Sequence, residues 1–219
     1  MPFSRASILR RVLTYPHLPT LSEVMQRILE VVEDEGSSAN DLTRILESDP
    51  AITARVLKLA NSSFYGCRYH VESLQRAVVL VGFETVKQLA LATGVVNALH
   101  RKPQRVLDPV DLWLHSLGAA KAAQLLAIAT GHGQSAPVCF TAALLHDIGK
   151  YVLSLTLGGE YEAVSSDAIR NELRLVDVEQ QRLGVDHAEL GGMLLAQWGL
   201  PSLITTAIKF QYTPELYQG

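Results

Sequence analysis

His146 and Asp147 stand side by side at the close of an apolar run, followed by Ile148-Gly149-Lys150, and His115 lies 31 positions before His146. Adjacent residues on an α-helix point about 100° apart. Both side chains therefore reach one ion only if it sits beside the last turn of their helix, with a neighbouring helix supplying His115. Imidazole and carboxylate suit Zn, Mn or Fe, and a metal held in this way can activate water for phosphoester hydrolysis. The competing reading is a buried polar cluster in which His and Asp satisfy each other's hydrogen bonds.

The elements that must position these residues read as helices throughout. Thr20-Leu21-Ser22-Glu23 has the form of a capping box, in which hydroxyl and carboxylate satisfy free backbone N–H groups. Leu21, Val24, Met25, Ile28, Leu29 and Val32 follow at amphipathic spacing. A second helix is expected to end near Asp49-Pro50 and a third to start at Pro50, since proline restricts the residue before it and fits the first helical position. Asn61 is expected to cap that third helix. Further helices are expected near Ser73 to Val81, with Gly82 as its stop, and from about Glu84 to His100. Arg101-Lys102-Pro103-Gln104 is a polar break. A helix carrying His115 opens after Asp108-Pro109, and another delivers His146 and Asp147. Lys150 reads as a lysine at a helix end, where the macrodipole favours it. Asp186 reads as an N-cap, and Gly199 with Pro201 as a helix stop. No segment alternates with strand period for long.

Several stretches carry a resemblance. The segment from Leu144 to Lys150, with His115 upstream, resembles the motif of the HD phosphohydrolase superfamily. The runs Ser48 to Gly66 (SDPAITARVLKLANSSFYG), Ser73 to Glu84 (SLQRAVVLVGFE), Gly184 to Gly191 (GVDHAELG) and Trp198 to Pro201 resemble the HDOD, or HD-related output, domain over about residues 17–215. That resemblance implies an all-α fold in two helical lobes, residues 12–102 and an HD-like lobe at 106–215, which together form one domain. It also implies a bacterial signalling module without the enzymatic activity of its HD relatives.

By the same resemblance, His187 stands where HD-GYP phosphodiesterases carry a later histidine. Their His-His pair has no counterpart in Ile208 to Tyr212, and no His or Asp occurs after His187. The implied metal set is thus His115, His146, Asp147 and His187, with His187 either a ligand or a first-turn helix residue facing the cluster. The expected cofactor is none, or one divalent ion at this remnant site. The expected function is non-catalytic output through a protein partner. Two alternatives stand beside it: a metal-dependent phosphohydrolase acting on nucleotides or cyclic dinucleotides, and a cyclic-dinucleotide sensor without turnover.

Composition limits the partners. With 48% hydrophobic residues over 219 positions, the chain can bury a large core. A formal charge of −3 gives no basic footprint for nucleic acid. Cys67 and Cys139 form no CxxC or zinc-like spacing, so a cytoplasmic location is expected. No apolar run approaching the ~20 residues of a spanning helix is evident, so no membrane partner is expected. Homo-oligomerisation is open. Phe64, Tyr65 and Tyr69 are the aromatic candidates for an interface.

Overall fold

A computed structural model describes residues 4–15, 22–34, 36–62, 68, 70–99 and 109–217. The expectations placed on Thr20, Leu21, Phe64, Tyr65, Cys67, Tyr69, His100 and the break at 101–104 lie outside these residues. The described residues hold helices and no strand. In order the helices are α1 (Arg5–Leu13), α2 (Glu23–Glu33), α3 (Ala39–Glu47), α4 (Pro50–Ala60), α5 (Leu74–Val81), α6 (Phe83–Leu99), α7 (Pro109–Ala129), α8 (Ala136–Leu145), α9 (Ile148–Leu157), α10 (Gly159–Arg170), α11 (Leu175–Leu183), α12 (His187–Gln197) and α13 (Ser202–Lys209).

The chain forms two compact units. One comprises residues 20–101 with 120–141, and the other 1–19, 102–119 and 142–219. Helices α7 and α8 each run on past a unit boundary.

In the unit built on residues 20–101, α6 is the central element, touching α2, α3, α4 and α5. Its residues from Val86 to Val95 are all buried, Lys87, Gln88 and Thr93 among them, so its apolar residues surround the helix rather than form one stripe. Local caps depart from expectation. Helix α2 starts at Glu23 under Ser22, whose hydroxyl accepts from the Met25 N–H. The reciprocal capping box is instead that of α3, where Ser38 and Asp41 serve each other's backbone. Asn61 does more than cap: its amide donates to Leu57 O at 2.9 Å and Val71 O at 2.8 Å and accepts from the Val71 N–H at 2.7 Å, all within this unit.

The second unit is organised on α9 and α12. Almost all of α9 is buried, and it touches α1, α10 and α12. Helix α1, for which no helix was expected, buries Ile8 and Val12. It is held by Arg5, which pairs with Glu189 at 2.6 Å and donates to Gly184 O, and by an ion pair between Arg11 and Glu160. One described stretch, Gly133–Leu157, is long and apolar enough to cross a membrane, contrary to the reading of the sequence. Most of it is buried inside the protein, and it is broken by the turn at His146 and Asp147.

Glycine sets how closely α9 and α12 approach. A Cβ on Gly149 would lie 1.9 Å from the carbonyl oxygen of His187, and one on Gly191 would lie 3.2 Å from the Gly149 nitrogen. Neither neighbour is a flexible side-chain tip, so a methyl group there forces the helices apart. Gly149→Ala is expected to cost about 3 kcal/mol, the upper end of overpacking losses. Gly118, whose Cβ would meet nothing within 4 Å, is the control: Gly118→Ala in mid-helix should stabilise by roughly 0.5–1 kcal/mol. Urea denaturation of both variants checks the pair.

Candidate functional site

Helix α8 stops at Leu145, so His146 and Asp147 occupy the turn before α9 rather than a helix. The His146 Nδ1–H donates to Ala143 O at 2.6 Å, which leaves the Nε2 lone pair facing Asp147 Oδ2 at 3.4 Å. From α7, His115 brings its Nε2 to 3.5 Å from the same oxygen, and its ring centroid is 5.2 Å from that of His146. Asp147 is buried, while His115 is mostly exposed, so the group opens to solvent on one side. The donor atoms of His115, His146 and Asp147 lie within 4.8 Å of one another. Ligand atoms about 2.1 Å from one ion at a tetrahedral angle stand about 3.4 Å apart. The spacing of Asp147 Oδ2 to each imidazole fits one such ion.

Lys150 was expected to stabilise a helix C-terminus. It lies instead in the first turn of α9, where the macrodipole disfavours a cation. What holds it is Asp147, whose Oδ2 accepts from its ammonium at 2.7 Å. The lysine charge therefore shares the oxygen that both imidazoles face.

His187 is beside this group but turned to the other oxygen of Asp147, with Nε2 3.5 Å from Oδ1. It opens α12 under the Asp186 N-cap, which accepts from the Glu189 N–H. Its Nδ1–H donates to Glu179 Oε2 at 2.6 Å, and its backbone N–H donates to the same oxygen at 2.9 Å. The second oxygen of Glu179 accepts from the Tyr161 hydroxyl at 2.6 Å. Glu179 and Tyr161 are both fully buried. Burial, reinforced by Glu179, holds the Tyr161 phenol well above the ordinary tyrosine range, so it remains a proton donor. His187 Nε2 is met by the Tyr212 hydroxyl at 3.1 Å. Asp147 Oδ1 makes no hydrogen bond among the described residues although it is buried.

Three of the four expected site residues thus form one group, and the fourth belongs to a second group across the Asp147 carboxylate. Sequence reading missed Glu179, Tyr161 and Tyr212. Glu179 carried a signal: it lies three residues after Val176 and four before Leu183, both buried, so a carboxylate occupies the apolar stripe of its helix.

Burial lowers the pKa of His146 below its ordinary 6.5; Asp147 opposes the shift, and Lys150 and His115 add to it. The unfolded chain therefore binds the proton first as pH falls, and stability drops below about pH 6.5. The midpoint of urea denaturation is expected to fall between pH 7 and pH 5, and less steeply in His146→Gln.

With this geometry in place, comparison with known proteins settles the family. The family model for the HDOD domain matches residues 18–214, and the chain belongs to that family. Among solved structures it is similar to an HDOD domain protein of unknown function from Geobacter sulfurreducens, at 26% identity and TM-score 0.82, covering 96% of this chain and 72% of that one. It is similar to a candidate phosphohydrolase from Shewanella amazonensis SB2B, at 29% identity and TM-score 0.81, covering 96% and 73%. A candidate signal transduction protein from Marinobacter aquaeolei VT8 is similar at 27% identity and TM-score 0.80, and this chain spans 51% of its length. No curated protein matches the chain.

Proposed function

We propose that this HDOD domain is a non-catalytic output module of bacterial signal transduction that acts by binding a protein partner. The observation that carries this reading is the division of the site at Asp147. The imidazoles of His115 and His146 and the Lys150 ammonium face Oδ2, and His187 on the other side is engaged by Glu179 and Tyr212. Hydrolysis needs a water nucleophile held by a metal whose ligand set and open position the protein fixes. After His187 the sequence offers no further His or Asp to complete such a set. The likeness to a candidate signal transduction protein supports the same reading.

The second reading, a metal-dependent phosphohydrolase, is favoured by the ligand-like spacing around Asp147 Oδ2 and by the likeness to a candidate phosphohydrolase. His115, His146 and Asp147 would hold the ion, which when bound would polarise a phosphoryl oxygen or lower the pKa of a water. The neutral His146, with its Nδ1 proton fixed on Ala143, is in the tautomer such binding requires.

Three measurements test the proposal. The chain is expected to give no turnover of cyclic dinucleotides or nucleotides with Mn, Mg, Fe or Zn added; turnover that disappears in His146→Ala and Asp147→Ala would overturn it. As a one-ion remnant, the folded protein should melt at higher temperature with Mn or Zn than after chelation, by mass action on the folded state. His146→Ala should abolish that difference. Calorimetric titration with a cyclic dinucleotide, expected to give no heat, separates the partner-binding module from a ligand sensor.

A further inference from the structure

His187 is oriented as a metal ligand is. A ligating imidazole characteristically gives its second N–H to a carboxylate, which fixes the tautomer and aims the remaining lone pair. Glu179 does this for His187, and is itself held by the Tyr161 hydroxyl. The aimed Nε2 and the Asp147 Oδ1 are then two buried acceptors 3.5 Å apart, again close to the ~3.4 Å between ligands of one tetrahedral ion. Oδ1 makes no hydrogen bond among the described residues, and a buried acceptor left unpaired is costly.

Tyr212 reaches this gap. Its hydroxyl is 3.1 Å from His187 Nε2, its ring meets the imidazole edge-on at 5.4 Å, and the Arg174 guanidinium lies 5.7 Å from the centre of the Tyr212 ring. The tyrosine sits in the turn after α13, and the preceding Gln211 pins that turn to the site by donating from Nε2 to the His146 carbonyl at 3.0 Å. A phenol is a hydrogen-bond donor where a histidine or aspartate would be a ligand. Tyr212 is also more than a third exposed, so its ring borders solvent and can leave the imidazole without unpacking the core.

From this arrangement we infer that Tyr212 is a plug: its hydroxyl occupies the coordination position of His187, and the turn Phe210 to Thr213 keeps a divalent ion from bridging His187 Nε2 and Asp147 Oδ1. The inference rests on the one-ion reading of the Oδ2 side and adds that a second ion position exists and is shut by this chain's own residue. Displacing the turn, as a partner docked on it would, opens that position.

The test uses the full chain and the metal alone. Wild type, Tyr212→Phe, Gln211→Ala and the double variant Tyr212→Phe/His187→Ala are titrated with Zn and Mn by calorimetry, and ¹⁵N-histidine spectra follow the His187 nitrogens. Tyr212→Phe should bind one more equivalent than wild type, or bind about tenfold tighter, the scale on which groups around a ligand tune metal affinity. The His187 Nε2 signal should move on metal addition, and Gln211→Ala should show a smaller gain. Equal binding by wild type and Tyr212→Phe, or a gain that persists without His187, would overturn the inference. His115→Ala reports on the Oδ2 side by itself: its loss of the wild-type equivalent with the Tyr212→Phe gain retained supports both positions. If wild type binds no ion, the one-ion reading fails, and the His187 signal in Tyr212→Phe still decides the plug. Phosphodiesterase assays on the same variants keep the catalytic question separate.

Discussion

The seating of α12 on α9 is the contact on which the site's geometry depends. Gly149 lies two residues after Asp147, and the backbone it admits is that of His187 itself. A single close approach therefore sets the distance between the buried carboxylate and the buried imidazole. No side chain can be added at Gly149 without moving the His187 carbonyl, and with it the N–H that Glu179 accepts. Packing and polar chemistry are here one constraint: the helices come close because glycine permits it, and the polar groups are satisfied because the helices are close.

Asp147 gains its character from that position. It is almost completely buried and surrounded by three imidazoles and one ammonium, with its two oxygens facing different groups. Burying a charge is costly unless it is paired. Lys150 supplies the pairing on one side, while the other side is left to the Tyr212 and His187 pair. Removing Lys150 would leave the buried Asp147 charge without its ammonium partner, whether or not the site performs chemistry.

The amino-acid sequence made the helical architecture and the site's own donors legible, because capping residues, 3.6-residue periodicity and the His-Asp turn are local signals. Pro50 and Asp186 act as their residue types indicate. What was not legible is non-local. Arg5 pairs with a glutamate 184 residues away, so α1 gave no reason to be read as part of the second unit. Lys150 looked like a helix-end lysine because the turn at 146–147, which makes it a first-turn residue, interrupts an otherwise continuous apolar run. Tyr212 lay in a segment notable only for its missing histidines, and its hydroxyl acquires meaning once α13 brings it to His187.

The separations within the second unit also order its assembly. The unit of residues 20–101 is built largely from consecutive helices, with partners available soon after they are made. The other unit closes through pairs such as Arg5 with Glu189 and His146 with Gln211, 184 and 65 residues apart. Contacts so distant along the chain bear the larger loop-closure entropy and form slowly. During synthesis, Asp147 emerges with neither His187 nor Tyr212 yet made, so its carboxylate stays hydrated until α12 and the turn beyond α13 follow. The half of the protein that carries the polar cluster is thus the last to become native, and the one whose surfaces remain longest available to chaperones.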